Sequence, residues 1–311
     1  MATAHVTTRP RSRAAERRRE RLQPRRRRVR PGRVLLNAFL AVTAVAWLAP
    51  LLWTIYTSLR PYSDTAARGY FSLPGKVGFS NFTDAWTQAD MPKYFLNTLI
   101  VAVPAVLLTL LLAAFVAFAV SRFDIRINVA LLLLFTAGNL LPQQVIITPL
   151  YRLYLLIPLP YWLNDSGSVY DSYWGIIAIH VAFQVGFCTF VLSNYMRTIP
   201  HDLTEAALID GASVWRQFWR IILPLSRPAL AALATLEFTW IYNDFFWAVV
   251  LMQTGDKRPI TSGLANLRGV FFTNNNLIAA GALIAALPTL IVYFTLQRQF
   301  VRGLTLGATK G

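Results

Sequence analysis

A chain of 311 residues in which 55% are apolar, 13% aromatic and only 14% charged is not an ordinary soluble domain, which carries about 25% charged residues. Mean hydropathy is +0.45, and the apolar residues come in blocks of about twenty, longer than a core helix needs and long enough to cross a bilayer. The formal charge of +16 is concentrated at one end, because Met1 to Arg33 hold 13 arginines against Glu16 and Glu20.

That arginine-rich segment, residues 1–33, has too few apolar side chains to offset the entropy of ordering, so it reads as a disordered tail. It lacks the interleaved aromatics of a nucleic-acid binder, and basic residues near an anionic inner leaflet gain about 1 kcal/mol each, so its partner is membrane lipid and not nucleic acid. It is not a secretory signal either, since the apolar run that follows is too long and no small-residue cleavage site precedes Trp53 and Tyr56. A single cysteine, Cys188, excludes an internal disulfide framework, and His5, His180 and His201 are too scattered for a zinc site.

Six apolar runs follow in chain order: Val34 to Ser58, Phe95 to Val120, Val129 to Leu150, Trp174 to Tyr195, Pro228 to Leu251 and Leu277 to Leu296. The fold class is therefore an all-α integral membrane protein with six transmembrane helices. Its expected divisions are the tail 1–33, a first helix 34–59, an external loop 60–93, a five-span core 94–302 and a C-terminal tail 303–311. The third run is interrupted by Pro142 and Pro149 and carries Asn139, Gln143 and Gln144, a pattern tolerated where freed backbone faces protein or water. Thirteen arginines before the first run place both termini in the cytoplasm of a bacterial inner membrane. In the first external loop Pro74, Gly75 and Gly78 mark turns, and Phe79, Phe82 and Trp86 are expected to form a small packed cap. Pro104 and Pro288 are expected to kink their spans.

The cytoplasmic segment 198–228 reads TIPHDLTEAALIDGASVWRQFWRIILPLSRP. Asp202 and Glu205 form a capping pair for a short helix that Gly211 ends; Ser213 caps a second helix carrying Trp215, Phe218, Trp219 and Ile222, which Pro224 stops. Ala206, Ala207 and Ala212 leave backbone open to close approach by a partner, while Glu205 and Asp210 offer acceptors. The same composition would also suit an amphipathic helix lying on the headgroups.

Glu205-Ala206-Ala207, Asp210-Gly211-Ala212 and Ile221-Ile222-Leu223-Pro224 resemble the EAA loop of the permease subunits of bacterial ABC importers. Asn97, Pro142-Gln143, Tyr242 to Trp247 and the C-terminus Phe300 to Gly311 resemble the carbohydrate, maltose-type branch, and the likeness runs from Val34 to Gly311. It departs at Ile157 to Tyr173, a connection lengthened by Pro158, Pro160, Asn164, Asp165, Ser166 and Gly167, and at Tyr242 and Ala248, where tryptophan and proline are common. The resemblance implies one of two homologous membrane subunits, a separate ABC ATPase dimer that docks on Glu205, Ala206, Ala207, Asp210, Gly211, Ala212, Leu223 and Pro224, and an extracytoplasmic sugar-binding protein. ATP and Mg²⁺ then belong to the partner ATPase, and this chain holds no cofactor or metal. Consistently, it has no phosphate-binding G-x-x-x-x-G-K-[ST] loop; Gly75-Lys76 is followed by Val77.

Polar residues inside spans cost about 2.5 to 3.5 kcal/mol each when charged and so point to a pathway or to helix contacts. Glu237, Trp240, Asp244 and Trp247 recur at helical steps, placing two acids and two indoles on one face, with Asn243 beside them. Indoles cover the apolar face of a sugar ring and carboxylates accept its hydroxyls, so this stripe, with Asn139 and Gln143 (in line with Thr136) and Gln184, is a candidate path. The alternative is that the acids bond neighbouring helices. His180 is assigned to helix-to-helix bonding and Cys188 to packing. A secondary transporter would be expected to show repeated halves and ion-site half-helices, and a membrane enzyme a nucleophile–base pair; neither pattern is evident.

Overall fold

The computed structural model describes residues 31–124, 126–140, 142–267 and 273–305. Most of the arginine tail and the end of the C-terminal motif lie outside these residues. Among the described residues the chain is helical, with an isolated antiparallel bridge between Pro158 and Ser168. It divides into two compact units at Leu52 and Trp53, inside the first helix.

The principal helices are α1 (Pro31–Ser58), α2 (Tyr62–Arg68), α3 (Ser80–Gln88), α4 (Met91–Arg122), α5 (Asn128–Leu140), α6 (Ile147–Leu156), α7 (Tyr173–Arg197), α8 (Asp202–Ile209), α9 (Val214–Gln217), α10 (Arg227–Tyr242), α11 (Phe246–Leu251) and α12 (Asn275–Thr305). Four of them, α1, α4, α7 and α12, are long and apolar enough to cross a membrane, and two bent pairs raise the number to as many as six. The expected boundaries hold to within a few residues for these four, except that α12 extends to Thr305, into the segment 303–311 expected to be a tail. Pro104 and Pro288 sit inside α4 and α12, and neither interrupts its helix.

The third and fifth runs are not single helices. The axes of Asn128–Gly138 and Gln143–Leu156 differ by 89°. Pro142, without an N–H, starts a separate 3₁₀ turn over Gln143–Ile146, so Thr136 and Gln143 do not share a helical face. Thr136 is exposed and bonds back to the Leu132 carbonyl at 2.7 Å. The fifth run is broken at Asn243–Phe245, between α10 and α11, for a reason that belongs to the site below.

The core lies between α4 and α7, the most extensively packed pair. One side of α4 is a stripe of small side chains, Thr98, Ala102, Ala105, Thr109, Ala113, Ala117 and Ser121, all buried. Steps of three and four place them on one helical face, and small residues let the backbones close up where lipid supplies no hydrophobic drive. A second cluster, built on Met91, Tyr94, Tyr242, Ile260, Leu277 and Ala280, joins α10 to α12, and the Tyr242 hydroxyl donates to the Ala285 carbonyl at 2.8 Å.

Loops at one end of the bundle are tied by side chains to backbone. Asn97 Nδ2 donates to the carbonyls of Asp256 and Arg258 at 2.8 and 3.0 Å, and Tyr173 donates to Asn97 Oδ1 at 2.7 Å. Asn164 Nδ2 donates to the Ser168 and Tyr170 carbonyls, and Lys257 Nζ donates to Asn164 Oδ1 at 2.9 Å, which links the lengthened connection 157–172 to the loop after α11. The cap expected from Phe79, Phe82 and Trp86 forms only in part: Phe79 meets Phe82 but remains exposed, while Trp86 packs on Phe95.

Arg60 is the center of the loop after α1. It is 1% exposed, pairs with Asp64 at 2.9 Å and donates to the carbonyls of Gly69, Tyr70 and Ser72. Asn81 and Asn276 both donate to the Arg60 carbonyl, so α3 and the start of α12 close on the same point. Burial raises the Asp64 carboxyl, but the hydrogen bond from Arg60, the Gly75 N–H and the charges of Arg60 and Arg68 outweigh it, and its pKa lies below the ordinary 3.8. A depressed folded pKa contributes stability that is complete above the unfolded value and is lost as pH falls through the folded one. Protection of the amides of residues 60–76, taken relative to the intrinsic exchange rate at each pH, should therefore fall below about pH 4. Asp64→Asn, which lacks the charge at every pH, should exchange faster at neutral pH and show a flatter acid limb. Equal acid sensitivity in both proteins would assign that limb to other groups.

Candidate functional site

Two constructions stand at opposite ends of α10. At its start lies the segment 198–228. Its first helix begins without the expected side-chain cap: His201, in helical conformation, occupies the position before Asp202, and Asp202 and Glu205 lie within the first turn, where carboxylates complement the helix dipole. Thr204 Oγ1 bonds back to the His201 carbonyl at 2.7 Å. At the other end of α8 the Ala212 N–H donates to the Ala207 carbonyl at 2.8 Å and the Gly211 N–H to Leu208 at 3.0 Å. This pair of bonds is the Schellman closure, which requires a left-handed residue, and Gly211 supplies it with φ +78°. A Cβ on Gly211 would meet nothing within 4 Å, so its cost would be conformational alone. Ser213 Oγ then accepts from the Arg216 N–H and starts α9 as expected.

Pro224 does not stop the second helix. A π segment, Phe218–Ile222, precedes a further helical turn, Leu223–Leu225, and the break comes at Ser226, between Pro224 and Pro228. A π turn accommodates the carbonyls left without a donor by a proline. The axes before and after the break differ by 72°.

Exposure sorts the coupling residues. Glu205, Ala206, Asp210 and Gly211 face outward, whereas Ala207 is buried, Ala212 is half-buried, and Leu223 and Pro224 are half-buried. Ala207 thus packs inward, contrary to the expectation that all three alanines present backbone to a partner. The outer face also carries Leu208 and Ile209, the latter 87% exposed, which the motif did not single out. A helix of eight residues gives no periodicity from which to tell an outward isoleucine from an inward one.

The segment is fixed at both ends. Phe218 is 1% exposed, stacks on Phe115 of α4 with centroids at 4.7 Å and meets Phe118 edge-on at 5.3 Å; Trp215 stacks on Phe115 at 5.7 Å. At the near end Arg122 donates to the carbonyls of Met196 and Ile199, at 2.8 and 3.1 Å. A guanidinium there satisfies last-turn carbonyls of α7 and complements its dipole. Arg122 was not legible as a site residue, because an arginine at the end of an apolar run reads as an ordinary flank.

At the far end of α10 is a cavity of about 470 Å³ lined by Gln143, His180, Phe183, Gln184, Phe187, Trp240, Asp244 and Trp247. Five expected path residues therefore meet: Gln143, Gln184, Trp240, Asp244 and Trp247. What brings them together is the break at Asn243–Phe245. Asp244 accepts from the N–H groups of Trp247 and Ala248, at 3.4 and 3.2 Å, and so caps α11, and Thr261 Oγ1 bonds the Asp244 carbonyl. Its Oδ2 lies 3.6 Å from His180 Nε2, too far for a hydrogen bond, and that buried nitrogen has no hydrogen-bond partner. His180 thus lines the cavity in place of the expected helix-to-helix bond. Phe183 and Phe187 stand against Trp247 and Trp240, with centroids at 5.8 and 5.5 Å.

Two expected path residues are not in the lining. Glu237 is fully buried away from the cavity, where it accepts from Cys188 Sγ at 3.1 Å, a bond between α7 and α10, so the helix-contact alternative describes it. Asn243 is exposed and donates back to the Thr239 carbonyl at 2.8 Å. The side chain of Asn139 lies outside the described residues. Of the face expected of Glu237, Trp240, Asp244 and Trp247, the last three meet at the cavity across the break at Asn243–Phe245, and Glu237 lies apart from them.

Residues 88–306 match the family model of the binding-protein-dependent transport system inner membrane component. The chain belongs to this family. It is 33% identical over 273 residues to the diacetylchitobiose uptake system permease protein NgcG of Streptomyces coelicolor, covering 87% of each chain. To the melibiose/raffinose/stachyose import permease protein MelC of Bacillus subtilis it is 30% identical over 278 residues, 89% of this chain and 96% of MelC. Its fold is similar to a chain in the crystal structure of a bacterial ABC transporter involved in alginate import, with a TM-score of 0.73, 22% identity, and coverage of 89% of this chain and 100% of that one. The chain is a multi-pass membrane permease of an ABC importer.

In this permease the Arg122 contacts hold the start of the loop segment to α4. A charged hydrogen bond contributes roughly 1.5 to 3 kcal/mol, less where solvent screens it. Arg122→Leu should therefore raise amide exchange at residues 196–204 by on the order of tenfold, with α4 itself unchanged. Unchanged protection would mean that the aromatic contacts of Phe218 alone hold the segment.

Proposed function

We propose that this permease translocates a sugar or oligosaccharide by alternating access, with α10 transmitting movement between an ATPase-docking segment, Asp202 to Leu225, and the cavity around Asp244. The observation that carries this reading is that one helix, broken at both ends, joins the two. Its 16 residues make a rod of about 24 Å, with the 72° bend at one end and the capped break at the other. A rigid element between two hinges passes on displacement instead of absorbing it.

The sugar assignment is supported by the lining, two indoles with amides and one carboxylate, and by the substrates for which NgcG and MelC are named. In this reading Glu205, Ala206, Ile209, Asp210 and Gly211 face a cytoplasmic ABC ATPase dimer, which holds the ATP and Mg²⁺. A second homologous permease completes the path, and an extracytoplasmic binding protein delivers substrate at the opposite end of the bundle. One of the similar solved structures contains such a periplasmic protein with its pentasaccharide. Both termini are cytoplasmic, six spans cross the membrane, and the arginine tail rests on anionic lipid.

Tagged permease taken from its native membrane should bring down an ATP-hydrolysing subunit and a second permease, and deletion of its gene should abolish uptake of one class of sugar. A chain that purifies alone and transports in vesicles without ATP would overturn the reading. Gly211→Val tests the docking segment itself. A side chain at positive φ costs roughly 1 kcal/mol or more, and a misdirected α9 displaces Glu205 relative to the ATPase. Pull-down of the ATPase and sugar uptake should both fall by about tenfold at matched membrane levels, while pairing with the second permease persists. Gly211→Asn, which tolerates the left-handed region, should retain more of both. Normal docking and uptake in Gly211→Val would remove this segment from the coupling path.

A further inference from the structure

We propose that Asp244 is a charge filter in the transport path, so that the cavity admits uncharged sugars and rejects acidic ones. The proposal rests on the sugar-path reading above and adds the sign of the substrate. Every segment that builds the cavity lacks lysine and arginine: residues 127–151, 173–196 and 228–255 contain neither. Among the described residues Asp244 is the one carboxylate in the lining, and its side chain is 14% exposed.

The geometry fixes that charge in place. Asp244 sits where the chain breaks between α10 and α11, and both of its oxygens accept from the first N–H groups of α11, at 3.4 and 3.2 Å. Those bonds prevent the carboxylate from swinging aside. Other groups facing it are His180 at 3.6 Å, whose Nε2 lacks a hydrogen-bond partner, and the neutral Gln143, Gln184, Trp240 and Trp247. A hydroxyl-bearing ring can donate to the remaining lone pairs of Asp244 and to the amide oxygens. A uronate places a second carboxylate in the same cavity with no guanidinium or ammonium to receive it, a like-charge approach that a dielectric below that of water magnifies.

The test is direct sugar binding to the purified importer complex, permeases and ATPase in nanodiscs with no binding protein, so that selection upstream plays no part. The probes are radiolabelled disaccharides in matched pairs, glucose-, galactose- and mannose-based, each with its hexuronate counterpart. In at least one series the neutral sugar should bind tenfold or more tightly than the uronate. Asp244→Asn, which retains a cap acceptor, should weaken neutral binding yet shrink that ratio to under threefold. Because the readout is a ratio, a general loss of binding moves both arms together and leaves it unchanged. Gln184→Lys leaves the cap untouched and should likewise reduce the ratio by strengthening uronate binding. Uronate binding as tight as neutral binding in the unaltered complex, or a ratio that survives both substitutions, overturns the filter and leaves the sugar path standing. Failure of every neutral and acidic sugar to bind overturns the sugar path and the filter together.

Discussion

The arrangement depends on a helix that is stopped twice. α10 could have continued in either direction, since its flanks are apolar and aromatic, and both stops are imposed by residues that withhold or redirect backbone hydrogen bonds. Pro228 lacks the donor that would carry the helix through Ser226, and the buried Ser226 hydroxyl reaches back to Ile222 at 2.8 Å. At the other end Asp244 takes the N–H groups that a continuous helix would have given to carbonyls one turn earlier. A membrane tolerates free backbone groups only where protein or water receives them. Both breaks meet that condition, one at the end of the bundle and one at a cavity.

The same constraint accounts for the pattern of polar side chains elsewhere. Asn81, Asn97, Asn164 and Asn276 are buried, and each uses its amide to collect carbonyls from loops that have no ladder of their own. Arg60 and Arg122 do so with guanidinium groups. In a chain with so few charges these side chains replace the sheet and the long helix as partners for irregular backbone, and the loops become rigid supports. Two of the asparagines begin glycosylation sequons, yet their amides are committed inside the fold.

Much of this was legible where the determinant is local. The four uninterrupted spans follow from run length, and the turn at Gly211 follows from glycine placed after a short helix with Ala212 and Ser213 behind it. The inward position of Ala207 was not legible, because it depends on which side of a two-turn helix meets the bundle. Nor was the break after Tyr242: Glu237, Trp240, Asp244 and Trp247 keep helical spacing across it, and periodicity cannot register an interruption that preserves spacing. One signal was available in the adjacent Asn243 and Asp244, residues that prefer caps to helix interiors. Read as a cap, Asp244 separates from Glu237 at once.

That separation matters for how two acids persist in one apolar segment. A carboxylate in a span must be matched by contacts or it destabilizes insertion, and the two here meet the requirement differently. Glu237 is removed from solvent and joined to Cys188 across α7 and α10, which makes it part of the scaffold. Asp244 is held by the dipole and N–H groups of α11 while its remaining surface stays open to the cavity. A helix start is among the few places in a membrane where a carboxylate can be both stabilized and available, since backbone donors occupy part of its coordination and leave the rest for a ligand. Breaking the span is therefore what allows this chain to present a charge to its cavity, and a continuous helix with the same residues could not.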